Sequence, residues 1–85
     1  MITVRQVKAA RALLGWSQSD LAAHSEISEP TIARLESLEG ELGGRSNTAE
    51  KIRSALESGG IDFIFENGGG AGVRLRKKSN RRHLK

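Results

Sequence analysis

The chain has 85 residues, 14 Lys and Arg against 10 Asp and Glu, a net charge of +4, one tryptophan and no cysteine. So short a chain forms one domain with a modest core, burying only about 60% of the surface its unfolded form exposes, and a large catalytic cavity is not expected. The absence of cysteine excludes a disulfide framework, a thiolate metal site and a cysteine nucleophile. His24 and His83 cannot hold a metal by themselves, and no apolar run exceeds three residues, too short for a spanning helix or a signal-peptide core. These features predict a soluble cytoplasmic protein without a metal or cofactor.

Charge is unevenly distributed. Residues 1–44 carry four cations and six anions, whereas residues 45–85 carry ten cations and four anions. Seven of those cations fall within residues 74–85, which contain no acid. Such a run reads either as a solubilising tail or as a segment attracted to polyanions.

Thr3 and Gln6 are spaced as a capping box, and Val7, Ala10 and Leu14 follow at helical intervals, predicting a first helix from Val4 to Leu14 ended by Gly15. Ser17 can cap a short second helix, Gln18 to His24, with Asp20 in its first turn and Trp16 stapled to Leu21. Ser25, Glu26 and Ile27 form a turn. Ser28 then starts a third helix, Glu29 to Ser37, with Pro30 where its missing N–H costs nothing. Asn47 and Glu50 suggest another capping box before a fourth helix, Thr48 to Ser58, ended by Gly59 and Gly60. The period then changes. Ile61, Phe63 and Phe65 alternate with Asp62 and Ile64, and Val73 and Leu75 with Arg74 and Arg76, which predicts a β-hairpin with a loose glycine-containing tip. The chain therefore divides into a helical domain (1–58), a hairpin (59–77) and a basic tail (78–85) expected to be disordered.

Two capped helices joined by a three-residue turn have the layout in which the second helix enters a DNA major groove, although small helical domains without nucleic-acid partners share that layout. The runs Trp16-Ser-Gln-Ser-Asp-Leu-Ala-Ala-His24 and Ile27-Ser-Glu-Pro-Thr-Ile-Ala-Arg-Leu-Glu36 are more specific. Over Val4 to Leu56 the chain resembles the lambda repressor/Cro-like (XRE-type) helix-turn-helix family. The resemblance implies a mainly α fold, a four-helix Cro/C1-type domain followed here by the C-terminal hairpin, and binding of double-stranded DNA. It implies that Gln18, with Ser17 beside it, bonds a phosphate at the start of the second helix, where free N–H groups and the helix dipole also favour an anion. It places Ser28, Glu29, Thr31 and Arg34 against DNA. Arg34 suits guanine, Glu29 the amino group of cytosine, and Thr31 a thymine methyl or a phosphate, while Ser28 and Glu29 can equally serve only to start the helix. Arg45, in the following loop, matches a region that touches the DNA backbone in the family. Arg11 and Glu36 occupy the places of a structural ion pair linking the first and third helices.

The chain departs from the family pattern in two respects. Glu26 stands where the family usually has glycine, and a left-handed non-glycine residue costs about 1–2 kcal/mol, so a turn of different construction is one expectation. The acidic balance of residues 1–44 also suits a polyanion poorly, leaving the basic hairpin and tail to supply attraction.

A lone hairpin is marginally stable and its edges invite pairing, so a homodimer through Ile61 to Arg76 is expected, with Ile61, Phe63, Phe65, Val73 or Leu75 covered and Ile64 against the partner. The competing arrangement packs the hairpin on the first and fourth helices of its own chain. For function, the leading expectation is a sequence-specific transcriptional regulator that binds a palindromic operator as a homodimer. No effector pocket is visible in the sequence. The alternative is a protein-interaction module, such as the antitoxin of a toxin–antitoxin pair, that binds a protein partner through its basic tail. No residue spacing suggests a catalytic triad or a phosphate cradle, so no enzymatic activity is expected.

Overall fold

A computed structural model of the chain describes residues 2–43 and 46–77. Four helices, α1 (Val4–Leu14), α2 (Gln18–Ser25), α3 (Glu29–Glu36) and α4 (Ser46–Gly59), precede strands β1 (Ile61–Ile64) and β2 (Gly72–Leu75). The fold is mainly α with a C-terminal two-stranded antiparallel hairpin, the architecture expected from the pattern of caps and periods. The proposed tail, residues 78–85, lies outside the described residues.

Local chemistry sets most helix ends where the sequence places them. Thr3 and Gln6 form the reciprocal box at the start of α1, and Gly15 closes that helix with φ 71°. α2 extends one residue further than expected. Ser25 is its last residue, is buried, and accepts at Oγ from the Ile27 amide, so the turn proper is only Glu26 and Ile27 before the Ser28 cap. α4 begins earlier than expected, at Ser46. Asn47 therefore sits inside its first turn and not ahead of it as a cap.

Among the described residues, twelve apolar side chains form the core. Val4, Val7 and Ala10 come from α1, Leu21 from α2, Ile32 and Leu35 from α3, and Ile52, Ala55 and Leu56 from α4; Ile2, Leu42 and Ile61 complete it. The segment after α3 has little pattern in the sequence but clamps the N-terminus. The Gly40 carbonyl accepts from the Val4 amide at 2.9 Å and the Ile2 carbonyl from the Leu42 amide at 3.0 Å, satisfying groups that a helix start leaves free.

The hairpin register pairs Ile61 with Leu75 and Phe63 with Val73, placing these four on one face and Asp62, Ile64 and Arg74 on the other. It packs chiefly on α1 and α4 of its own chain, which is the competing arrangement of the two drawn from the sequence. Ile61 has no exposed surface, and Phe63 and Val73 pack against the same core. Ile61 is thus engaged wholly within the chain, and Phe63 and Val73 partly so. Gln6, buried in α1, accepts from the Thr3 amide and donates from Nε2 to the Gly72 and Ile64 carbonyls at 2.9 and 3.3 Å, fastening the loop end of the hairpin to α1.

Candidate nucleic-acid interface

The starts of α2 and α3 are separated by the eight residues of α2 and one short turn. Ser17 caps α2, its Oγ accepting from the Asp20 amide at 3.0 Å while Asp20 accepts from the Ser17 amide at 2.9 Å. The Leu21 amide bonds the Ser17 carbonyl. The backbone N–H groups of Gln18 and Ser19 then have no acceptor among the described residues, as a helix start requires unless a ligand supplies one. At α3 the Ser28 Oγ accepts from the Thr31 amide, and the two hydroxyls bond each other at 2.9 Å.

The turn answers the question raised by Glu26. It is not built differently: Glu26 adopts φ 63°, ψ 27°, the left-handed conformation glycine would take, and is the one non-glycine residue with positive φ among the described residues. The turn holds a strained residue in the conformation that glycine adopts freely.

Ser17, Ser28, Glu29 and Arg34 are exposed, and Gln18 and Thr31 are half-buried. Glu29 and Arg34 make no side-chain hydrogen bond within the described residues, so an acceptor and a forked donor are both available along α3. Ala33, exposed one turn after Glu29 and next to Arg34, was not singled out in the sequence. A small side chain there lets the helix approach another surface closely, and only the helical position of Ala33, not its chemistry, could have pointed to it. Arg45 lies outside the described residues.

Behind this face is the expected ion pair. Arg11 donates from Nη2 to Glu36 Oε1 at 2.6 Å and from Nε to Oε2 at 2.8 Å, a two-pronged contact, with Glu36 only 3% exposed. Arg11 also donates to the Trp16 carbonyl at 2.9 Å, and Gln18 donates from Nε2 to Glu36 Oε1 at 3.1 Å. Burial by itself would raise the Glu36 carboxyl. The hydrogen bonds from Arg11 and Gln18, with the charges of Arg11 and Lys8, outweigh burial and hold it below the usual carboxylate range. The hydrogen bond to Glu36 is the main reason the Arg11 guanidinium is held even more firmly protonated.

Trp16 is half-buried against the core. Its ring meets His24 edge-on, centroids 4.1 Å apart, and lies where a Cβ on Gly59 would come within 2.9 Å. Gly59 is therefore still helical and makes room for the indole, while Gly60, at φ 120°, ends the helix. Next to Trp16 an open cavity of about 610 Å³ runs between α2 and α4, lined among others by His24, Glu26, Glu50 and Lys51. The sequence had suggested no such space, because its walls come from residues far apart in the chain.

Two hairpin cations are engaged within the hairpin itself. Arg76 and Arg74 both pair with Asp62, at 3.0 and 3.3 Å, and chiefly the Arg76 hydrogen bond holds that carboxyl below its ordinary value. The exposed surface of α2 and α3 carries Asp20, Glu26 and Glu29 against Arg34, so the acidic balance read from the sequence persists in the fold.

Among the described residues no helix is long and apolar enough to cross a membrane. Comparison with curated proteins finds no match. A family model described as helix-turn-helix matches residues 7–45, from the middle of α1 through both serine-capped helices to the loop beyond α3. The left-handed turn, the paired caps and this match agree: over residues 7–45 the chain is similar to the Cro/C1-type helix-turn-helix family of DNA-binding regulators.

Proposed function

We propose that the protein regulates transcription from the cytoplasm by occupying a palindromic operator as a homodimer, with α3 in the major groove of each half-site. One observation carries this reading: α3 presents Glu29, Ala33 and Arg34 to solvent, the two charged groups without partners among the described residues, behind a turn that holds a strained residue. Arg34 is assigned to guanine O6 and N7, Glu29 to cytosine N4, and the Ala33 and Thr31 methyl groups to thymine. The free amides and the Gln18 side chain at the start of α2, with the Ser17 and Ser28 hydroxyls, face phosphates. Arg45 adds a backbone contact from the following loop.

A second copy would join through what the hairpin leaves uncovered: Ile64 on its outer face, Phe65 and Leu75 at 40% and 46% exposure, and the strand edges. Two reading heads would then address half-sites about 34–36 Å apart. With so few cations near α3, sequence-independent affinity is expected to be weak and to fall only shallowly with salt, because the salt slope grows with the number of phosphates neutralised.

Selection of bound sequences from a random duplex pool tests the proposal, with sedimentation of the full chain and of a Phe65→Ser/Leu75→Ser variant. An enriched palindrome, a dimeric parent and a variant shifted toward monomer are the expected results. An unenriched pool contradicts operator recognition, and a monomeric parent contradicts the dimer.

A further inference from the structure

We infer that Glu36 is a positioning residue for the phosphate contact at the start of α2, so that the Arg11–Glu36 pair prepares one DNA contact as well as tying α3 to α1. The inference rests on the DNA-binding reading above. Its basis is a hydrogen bond that the pair alone does not need. Glu36 Oε1 takes Arg11 Nη2 at 2.6 Å and also Gln18 Nε2 at 3.1 Å. The guanidinium partner keeps the carboxylate ionised, and an ionised carboxylate only accepts. The Gln18 amide must therefore turn its nitrogen inward.

That orientation leaves the second Nε2 proton and Oε1 of Gln18 without partners among the described residues, next to the backbone N–H groups of Gln18 and Ser19, which also lack them. Three donors thus remain at the first turn of α2, one of them on a side chain whose rotamer Glu36 has already fixed. From the other side, Arg11 Nη1 holds the Trp16 carbonyl at 2.9 Å, just before the Ser17 cap. One pair of charged residues consequently sets both the backbone entering α2 and the side chain at its first position. A phosphate arriving there finds Gln18 ordered, and binding does not carry the entropy cost of ordering it.

The test uses the full chain in two arms. Without DNA, the side-chain amide resonances of Gln18 are followed by NMR. In the parent they are expected to be displaced from those of an exposed glutamine and to shift as Glu36 is protonated at low pH; Glu36→Gln is expected to return them toward exposed-glutamine values. With DNA, affinity for a random-sequence 24-base-pair duplex is measured at a temperature where every variant is folded by circular dichroism. Glu36→Gln and Gln18→Met, the latter leaving the ion pair intact, are each expected to lose roughly fivefold in affinity, and the double variant no more than either one. Losses that multiply in the double variant, or exposed-glutamine resonances in the parent, overturn the inference. Should Glu36→Gln not fold, the parent's own pH titration and Gln18→Met decide, because a Gln18 resonance indifferent to Glu36 protonation, or full affinity in Gln18→Met, overturns it equally. A parent that binds no duplex overturns the DNA reading, whereas the NMR arm shows separately whether Glu36 orders Gln18.

Discussion

α2 and α3 begin alike and offer their surroundings different chemistry. Each has a serine cap whose hydroxyl oxygen accepts from the amide three residues on. At α2 the next two positions are Gln18 and Ser19, both with N–H groups that have no acceptor among the described residues; at α3 they are Glu29 and Pro30, which leave one N–H and add an exposed carboxylate to the first turn. Asp20 closes a reciprocal box with Ser17, whereas Thr31 instead bonds the Ser28 hydroxyl. The first start is a donor site suited to a phosphate. The Glu29 carboxylate makes the second start less favourable for an anion and suits it to an amino group at a base edge, with Arg34 further along the helix. In the proposed complex, α2 and the two-residue turn after it thus separate a positioning end from a reading end.

The largest expected effect removes what holds the two ends in register. Glu36→Ala leaves the Arg11 guanidinium, 19% exposed, without its carboxylate, and a loss of about 3 kcal/mol in stability is expected, visible as a fall of 10 °C or more in melting temperature, on the order given for small domains. The pH dependence has a definite sign. Glu36 is held below its unfolded value, so its contribution is complete above the unfolded carboxylate range, about 4.3, and disappears as pH falls through the lower folded value. Melting temperatures measured between pH 7 and pH 3 should therefore decline more in the parent than in Glu36→Gln. Parallel curves would contradict the assignment.

Next in size are the changes that separate reading from positioning. Arg34→Ala should cost about 1–3 kcal/mol on the preferred duplex and blur one base position in a selection experiment. A loss equal on all sequences would make Arg34 a phosphate contact. Ser19→Pro is the complementary change, because position 19 of α2 corresponds to Pro30 of α3 and tolerates proline within a helical first turn. It removes one free N–H and should lower affinity by roughly 1 kcal/mol on every sequence alike, with stability maintained. A change in base preference, read from the same selection, would mean that the start of α2 reads sequence.

How much of this was legible in the sequence follows from the range of the interactions. Thr3, Ser17 and Ser28 act on amides three residues away, so their caps could be read directly, and α1 and α3 begin where those residues place them. The Arg11–Glu36 pair, 25 residues apart, came only from the family resemblance. Contacts with no local or family pattern were missed. Gln6 looked like a capping residue and also binds carbonyls 58 and 66 positions away; Leu42, in a segment with no periodicity, closes the core; Gly59 looked like a helix stop and instead accommodates Trp16. The hairpin was visible by its alternation. Its docking was not, because an apolar strand face matches a second copy as well as it matches α1 and α4.

The smallest effect concerns the turn between the two helix ends. Glu26 holds φ 63° at a cost of about 1–2 kcal/mol for an L side chain, and glycine would remove that cost while adding about 0.5–1 kcal/mol of backbone entropy to the unfolded chain. Glu26→Gly should therefore stabilise the fold by roughly 0.5–1 kcal/mol, raising the melting temperature by a few degrees. Its N–H already bonds the Ala22 carbonyl, so the geometry need not change. The same substitution removes one of three exposed acids around α2 and α3, and affinity for random-sequence duplex should rise slightly, more at low salt than at high. Stabilisation with no salt-dependent gain would confine Glu26 to the turn; destabilisation would show that its carboxylate makes a favourable contact large enough to outweigh the strain.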